Sequence, residues 1–196
     1  MRQFKTEKRL NRLVKVAESR QATLRLVLEN IHDSHNVSAI MRSCDATGVQ
    51  NVGLLYTIEA FPKLSRVTSS SANKWIDVQK YKTEKECCDE LHSLGFKIYA
   101  SMLDENAVDL YDLDLTEPVA FVMGNEKRGV SPELQNLVDK TFYIPMRGMV
   151  QSLNVSVASA VILYEAQRQR ALKGMYSSPS FTKEELDNLV DRWCDK

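Results

Sequence analysis

Between residues 24 and 145 the chain alternates apolar runs of strand length with segments of helical periodicity. This alternation constrains the fold more than any other feature. Strand candidates are 24–28 (LRLVL), 52–56 (VGLLY), a short stretch at 75–78, 96–100 (FKIYA), 118–123 (PVAFVM) and 141–144 (TFYI). Helical patterns fall at 37–47 and 84–94, in a segment opened by Ser131-Pro132-Glu133, and in a long helix over 152–173 that stops before Gly174. PVAFVM is continuously apolar, as a strand covered on both faces should be. The expectation is an α/β fold with an open, mostly parallel sheet and helices on both faces.

The 196 residues suit one such domain with short helical arms. Lys and Arg balance Asp and Glu at 26 each, which argues against a wholly basic binder but leaves room for a local basic patch. No apolar run is long enough to cross a membrane, and the start, MRQFKTEKRLNRLVK, lacks the apolar core of a signal peptide. Cys44, Cys87, Cys88 and Cys194 have neither zinc-ligand spacing nor histidine companions, so no metal site and a reducing cytoplasm are expected.

Charge is unevenly spread. The first 25 residues hold Arg2, Lys5, Lys8, Arg9, Arg12, Lys15, Arg20 and Arg25 against only Glu7 and Glu18. Leu10, Leu13, Val14 and Ala17 put an apolar stripe on the same helix. Pattern alone leaves two readings open, a solvated surface helix or an arm that tracks phosphates. Asp104, Glu105, Asp109, Asp112, Asp114 and Glu117 form an acidic counterpart. Near the end, Thr182 and Glu185 make a capping box before a helix whose face carries Leu186, Leu189, Val190 and Trp193. Such a helix packs on its own domain or on a partner subunit.

Three segments carry polar and glycine residues where strands end. In 32–49 (HDSHNVSAIMRSCDATGV), Asn36 could cap the following helix and Arg42 leaves it at the surface. GNEKRGV (124–130) follows the buried strand, at the edge where open α/β sheets hold ligands. Val130-Ser131 stands where a phosphate loop requires Lys-Ser/Thr, so this is no Walker motif. In the third segment, 144–170, Pro145 and Gly148 enforce an irregular loop before a helix rich in small residues. No G-x-G-x-x-G, G-x-S-x-G or H-E-x-x-H is present. His35 is read as a polar contact rather than a catalyst.

Together the three segments resemble the motifs of the SpoU/TrmH family of knotted methyltransferases. The first matches through Asn36, Ser38, Arg42, Asp45 and Gly48, and the second through Gly124, Glu126, Lys127 and Gly129. The third matches through Ile144, Pro145, Met146, Gly148 to Ser152, Asn154 and Ser156. The phrase from Ile144 to Arg170 is similar to the branch that methylates the ribose 2′-oxygen of guanosine 18 in the tRNA D-loop.

The resemblance implies a homodimer with a C-terminal deep trefoil knot, an exception to the rule against threaded connections. It divides the chain into a basic N-terminal helix (1–22), the knotted domain (23–174) and a C-terminal helical extension (175–196). It implies S-adenosyl-L-methionine as methyl donor, leaving S-adenosyl-L-homocysteine, without a metal. Ser101, Gly124, Ile144, Gly148, Met149 and Leu153 would surround the donor. Asn36, Glu126, Ser152 and Asn154 would organise the site, and Arg42 would activate the 2′-hydroxyl. Lys8, Arg9, Arg12 and Arg20, with Arg168 and Arg170, would grip the tRNA backbone.

The lack of an added RNA-binding domain before the first strand favours tRNA. Another tRNA position or ribosomal RNA is the near alternative, and a non-catalytic knotted RNA-binding protein the more distant one.

Overall fold

The computed structural model describes residues 2–62 and 72–196. A single seven-stranded sheet has the order β3-β2-β1-β6-β4-β7-β5, and every pairing in it is parallel. The strands are β1 (Gln21–Glu29), β2 (Val49–Leu55), β3 (Asp77–Tyr81), β4 (Lys97–Ser101), β5 (Val108–Asp109), β6 (Val119–Met123) and β7 (Lys140–Tyr143). The helices are α1 (Glu7–Glu18), α2 (Ser34–Thr47), α3 (Glu84–Ser93), α4 (Pro132–Gln135), α5 (Val155–Leu172) and α6 (Lys183–Cys194).

Period-two alternation along β1 sends its side chains to two separate cores. Leu24, Leu26 and Leu28 face Val37, Ile40 and Met41 of α2 and Ile162, Leu163 and Ala166 of α5. Val27 faces the other way, into a core with Cys87, Cys88 and Leu91 of α3 and Leu134 of α4. Every residue of β6 is buried, so the uninterrupted apolar run marks the strand sandwiched between both layers. Leu26 is wholly buried at the centre, where truncation to alanine costs about 2–5 kcal/mol.

The terminal helices form a third, smaller layer. Leu13 and Ala17 of α1 pack on Leu189, Val190, Trp193 and Cys194 of α6. Arg2, ahead of α1, bonds Asp187 and Asp191 of α6. The tryptophan face of α6 thus packs on its own chain.

Element boundaries differ from the sequence reading in three informative places. Helix α2 starts at Ser34, because Asp33 rather than Asn36 caps it, accepting from the His35 N–H at 2.8 Å. Strand β3 begins at Asp77, two residues later than the apolar stretch at 75–78, because Trp75 packs toward the α1–α6 core instead. Strand β5 lies within the acidic stretch and has only two residues, too few to leave a periodic signal.

Helix α2 ends at Gly48, whose φ of 85° is left-handed. A Cβ there would also sit 2.7 Å from the Ser19 carbonyl oxygen, so glycine is required twice over.

Candidate active site

A cleft of about 840 Å³ opens at the carboxyl ends of β4, β6 and β7. Its walls come from those strand ends, the 124–129 loop, and the 144–155 segment that leads into α5. Ser101, Gly124, Ile144, Gly148 and Leu153 line it, as do Glu126, Ser152 and Asn154. Met149 does not; it is fully exposed beside the cleft.

The 124–129 loop folds back on itself through paired 2.9 Å bonds between the backbones of Asn125 and Gly129. This brings the chain so close that a Cβ on Gly124 would lie 2.3 Å from the Gly129 carbonyl carbon. Asn125 is buried within the turn, its Oδ1 accepting from the backbone N–H groups of Lys127 and Arg128 at 3.0 and 3.1 Å.

That turn delivers Glu126 to the start of α2. The carboxylate accepts from the N–H groups of His32 (2.9 Å) and Asp33 (3.2 Å) and from Asn36 Nδ2 (2.9 Å). Asn154 Nδ2 then donates to Asn36 Oδ1 at 3.1 Å, and Asn154 Oδ1 caps α5 by accepting from the Ser156 N–H at 2.8 Å. Burial by itself would raise the Glu126 carboxyl. The bonds from Asn36, His32 and Asp33 outweigh it and hold the group below the ordinary carboxylate value. An ionised Glu126 at the N-terminus of a 14-residue helix is also favoured by the helix dipole.

The structure therefore joins Asn36, Glu126 and Asn154 in one hydrogen-bonded chain, with Ser152 on the same cleft wall. It does not bring Arg42 there. Arg42 lies almost two turns further along α2, exposed and outside the cleft lining. No hydrogen bond or ion pair holds it among the described residues.

The residues expected on RNA divide sharply. Lys8, Arg9 and Arg12 are exposed on α1, with the Arg9 guanidinium 5.8 Å from the Trp75 ring centre. Arg168 is exposed but held by Glu165 through two 2.8 Å bonds. Arg20 and Arg170 correct the expectation, because both are completely buried and neither can reach a phosphate.

Arg20 pairs with Asp45, donates to the carbonyls of Asp45 and Val49, and stacks over Trp193. Arg170 donates to the carbonyls of Thr23, Leu115 and Glu117 and to the side chains of Gln21 and Thr23. No carboxylate pairs with Arg170 among the described residues, and burial lowers its pKa to about 10.

Residues with no motif signal prove equally connected. Buried Glu29, at the end of β1, accepts from the Ser131 N–H at 3.0 Å; burial raises its pKa despite that bond. Asn30 and Glu59 tie the loops after β1 and β2 together. The only trace of Glu29 and Asn30 in the sequence is that they form a polar pair directly behind an apolar run. Among the described residues no cluster of His, Cys, Asp and Glu could hold a metal ion, and no helix is long and apolar enough to cross a membrane.

The sequence matches the model of the SpoU rRNA Methylase family over residues 23–164. The chain belongs to that family. It is similar to the tRNA (guanosine(18)-2'-O)-methyltransferase of Aquifex aeolicus, 43% identical over 188 residues, covering 96% of this chain and 89% of that one. Its fold is similar to the crystal structure of the A. aeolicus TrmH/SpoU tRNA modifying enzyme, with a TM-score of 0.90, 42% identity and 96% of each chain covered. It is also similar to the SpoU methyltransferase AviRb of Streptomyces viridochromogenes in complex with the cofactor AdoMet. That likeness has a TM-score of 0.70 at 27% identity, over 78% of this chain and 59% of that one.

The cleft suits such a donor. Its volume is in the range that encloses a ligand of that size, and it mixes apolar side chains (Met123, Ile144, Leu153) with polar ones (Ser101, Asn154).

Proposed function

We propose that the chain uses S-adenosyl-L-methionine to methylate the ribose 2′-oxygen of guanosine 18 in the D-loop of tRNA. The observation that carries this reading is the Glu126–Asn36–Asn154 chain on the wall of the cleft. It fuses the three motif segments into one site. The tRNA target follows the relative that shares nearly the whole chain.

When bound, the donor supplies a methyl group on a sulfonium, already activated for transfer. Ser101, Gly124, Ile144, Gly148 and Leu153 would hold it, with the exposed Met149 on the same loop. Glu126 stays ionised and fixes Asn36, whose Oδ1 is thereby committed to Asn154. Asn36, Ser152 and Asn154 orient the ribose, so alignment supplies much of the rate. Arginine stays protonated near neutral pH and is a poor base. Arg42 acts instead by orienting the 2′-hydroxyl and stabilising the oxygen as its proton passes to solvent water.

The homodimer implied by the family resemblance accommodates Arg42, which lies outside the cleft of its own protomer and would serve the partner's. Val157 and Tyr164, exposed on α5, offer an apolar stripe for the partner. The C-terminal part is read as a deep trefoil knot, supported by the insertion of β7 between the earlier strands β4 and β5. The basic arm (1–22) and the extension (175–196) flank the methyltransferase domain (23–174), with Lys8, Arg9, Arg12 and Arg168 on the tRNA backbone. Four buried free thiols suit a reducing cytoplasm.

Transfer of labelled methyl to an unmodified tRNA transcript, with the position mapped, tests the reading. Label on the guanosine 18 ribose supports it. Label on another tRNA nucleotide, or only on ribosomal RNA, moves the target. Absence of label on any RNA overturns it.

A further inference from the structure

We propose that Asn30 is a positioning residue for methyl transfer, its carboxamide and main-chain carbonyl together fixing both loops that support Glu126. The inference rests on the methyl-transfer reading above. Asn30 stands directly after β1 with a φ of 49°, the left-handed region that side chains other than asparagine and aspartate adopt at a cost. It is 3% exposed and does not line the cleft, so it acts through other groups.

Its hydrogen bonds radiate to two loops. Oδ1 accepts from three successive N–H groups, those of Thr57, Ile58 and Glu59, at 3.0, 3.0 and 3.1 Å. Nδ2 donates to Thr57 Oγ1 at 3.1 Å. The loop after β2 is thereby wrapped around one carboxamide oxygen. Glu59, carried on that loop, bonds Arg128 at 2.9 Å and approaches His32 Nδ1 at 3.4 Å.

On its other side, the Asn30 carbonyl accepts from Asn125 Nδ2 at 2.7 Å. Asn125 organises the turn that carries Glu126. His32 and Asp33, which donate to Glu126, follow Asn30 almost immediately in the chain. Both sides of the Glu126 contact, the carboxylate and its N–H donors, therefore hang on the conformation of Asn30. A buried oxygen with three donors leaves those N–H groups unpaired when it is removed, so the effect should be large for one residue.

The test compares Asn30→Ala, Asn30→Gly and Asn30→Asp with wild type in the full-length protein. It measures single-turnover methyl transfer to tRNA transcript at saturating donor, donor affinity by calorimetry, thermal unfolding, and amide hydrogen exchange at 57–59 and 125–129. Alanine should slow transfer at least tenfold and weaken donor binding several-fold. Glycine accepts the left-handed backbone but offers no side-chain oxygen to the 57–59 loop. It should recover unfolding temperature relative to alanine while remaining as slow. Aspartate keeps the acceptor and should restore most of the rate and the protection of 57–59.

Full activity in the glycine variant would reduce Asn30 to a backbone role and overturn the proposal. So would rates that merely follow the unfolding temperature, or an alanine variant as fast as wild type. Wild type inactive on every RNA would defeat the methyl-transfer reading instead. Exchange at 57–59 and 125–129 would then still decide whether Asn30 holds the two loops.

Discussion

The two edges of the parallel sheet are tied down by different side chains. At the amino edge, two buried arginines gather carbonyls, those of Asp45 and Val49 by Arg20 and of Thr23, Leu115 and Glu117 by Arg170, while Asp139 takes the Ile98 N–H and Gln169 that of Leu115. At the carboxyl edge, carboxylates and carboxamides gather mostly N–H groups, with Asn125 and Tyr56 donating to the carbonyls of Asn30 and Ile31. Glu126 takes the N–H groups of His32 and Asp33, Asn30 those of Thr57 to Glu59, Asn125 those of Lys127 and Arg128, and Glu29 that of Ser131. Guanidinium groups, which only donate, seal one edge. Carboxylates and carboxamides, which accept, hold the other. Burial at the first edge makes a fixed base; partial exposure at the second leaves loops around a cleft. The same residue type, arginine, is scaffold below the sheet and a candidate for chemistry above it.

The contrast is broken most directly at Arg170. Arg170→Ala leaves several buried carbonyls unpaired and should destabilise the fold by about 3–5 kcal/mol in urea unfolding. A loss below about 1 kcal/mol would mean the amino edge is not sealed by this side chain.

Arg42→Ala should do the reverse. Methyl transfer should fall at least about 100-fold, with an unfolding midpoint unchanged because the side chain is exposed and unpaired. If tRNA affinity fell in parallel with turnover, Arg42 would be a binding residue.

The carboxylates of the carboxyl edge differ in sign. The Glu126 carboxyl is lowered in the folded state, so its stabilisation is fully present above the unfolded value of about 4.3 and fades as pH falls through the folded value. Glu29 is raised, so its contribution weakens as pH climbs from the unfolded value through the folded one. At neutral pH Glu126→Gln should therefore cost more stability than Glu29→Gln. Below about pH 4 the gap should narrow, as read from chemical denaturation across pH.

The smallest effect concerns the exposed arm. Replacing Lys8 and Arg12 with glutamine should lower the log–log salt slope of tRNA binding by about 0.7–0.9 for each phosphate no longer neutralised, without altering unfolding. An unchanged slope would remove α1 from the RNA surface.

How much of this could be read from the sequence follows the same division. Apolar periodicity located the layers well, because LRLVL and PVAFVM must bury their side chains wherever they are placed. The motif resemblance, not periodicity, reached the cleft through Gly124 and Asn154, whose neighbours form recognisable phrases. Both failed for Arg20 and Arg170, since charge in a sequence carries no sign of depth. Arg170 ends a helix in a basic run, yet turns inward to carbonyls contributed by residues more than 50 positions away. Asn30 was invisible for a related reason, as its partners come from loops whose convergence only the sheet order creates.

The pairing of α1 with α6 bears on how the protein is made. Helix α1 leaves the ribosome before any strand exists, whereas the residues that cover Leu13 and Ala17 belong to α6, made after the whole sheet. Throughout synthesis the nascent chain thus carries an uncovered amphipathic helix with a cationic face. Such a helix invites chaperones or nucleic acid until α6 arrives. The arm closes last, so mutations in α6 such as Trp193→Ala should show first as poor yield and aggregation during expression, ahead of any defect in the purified enzyme.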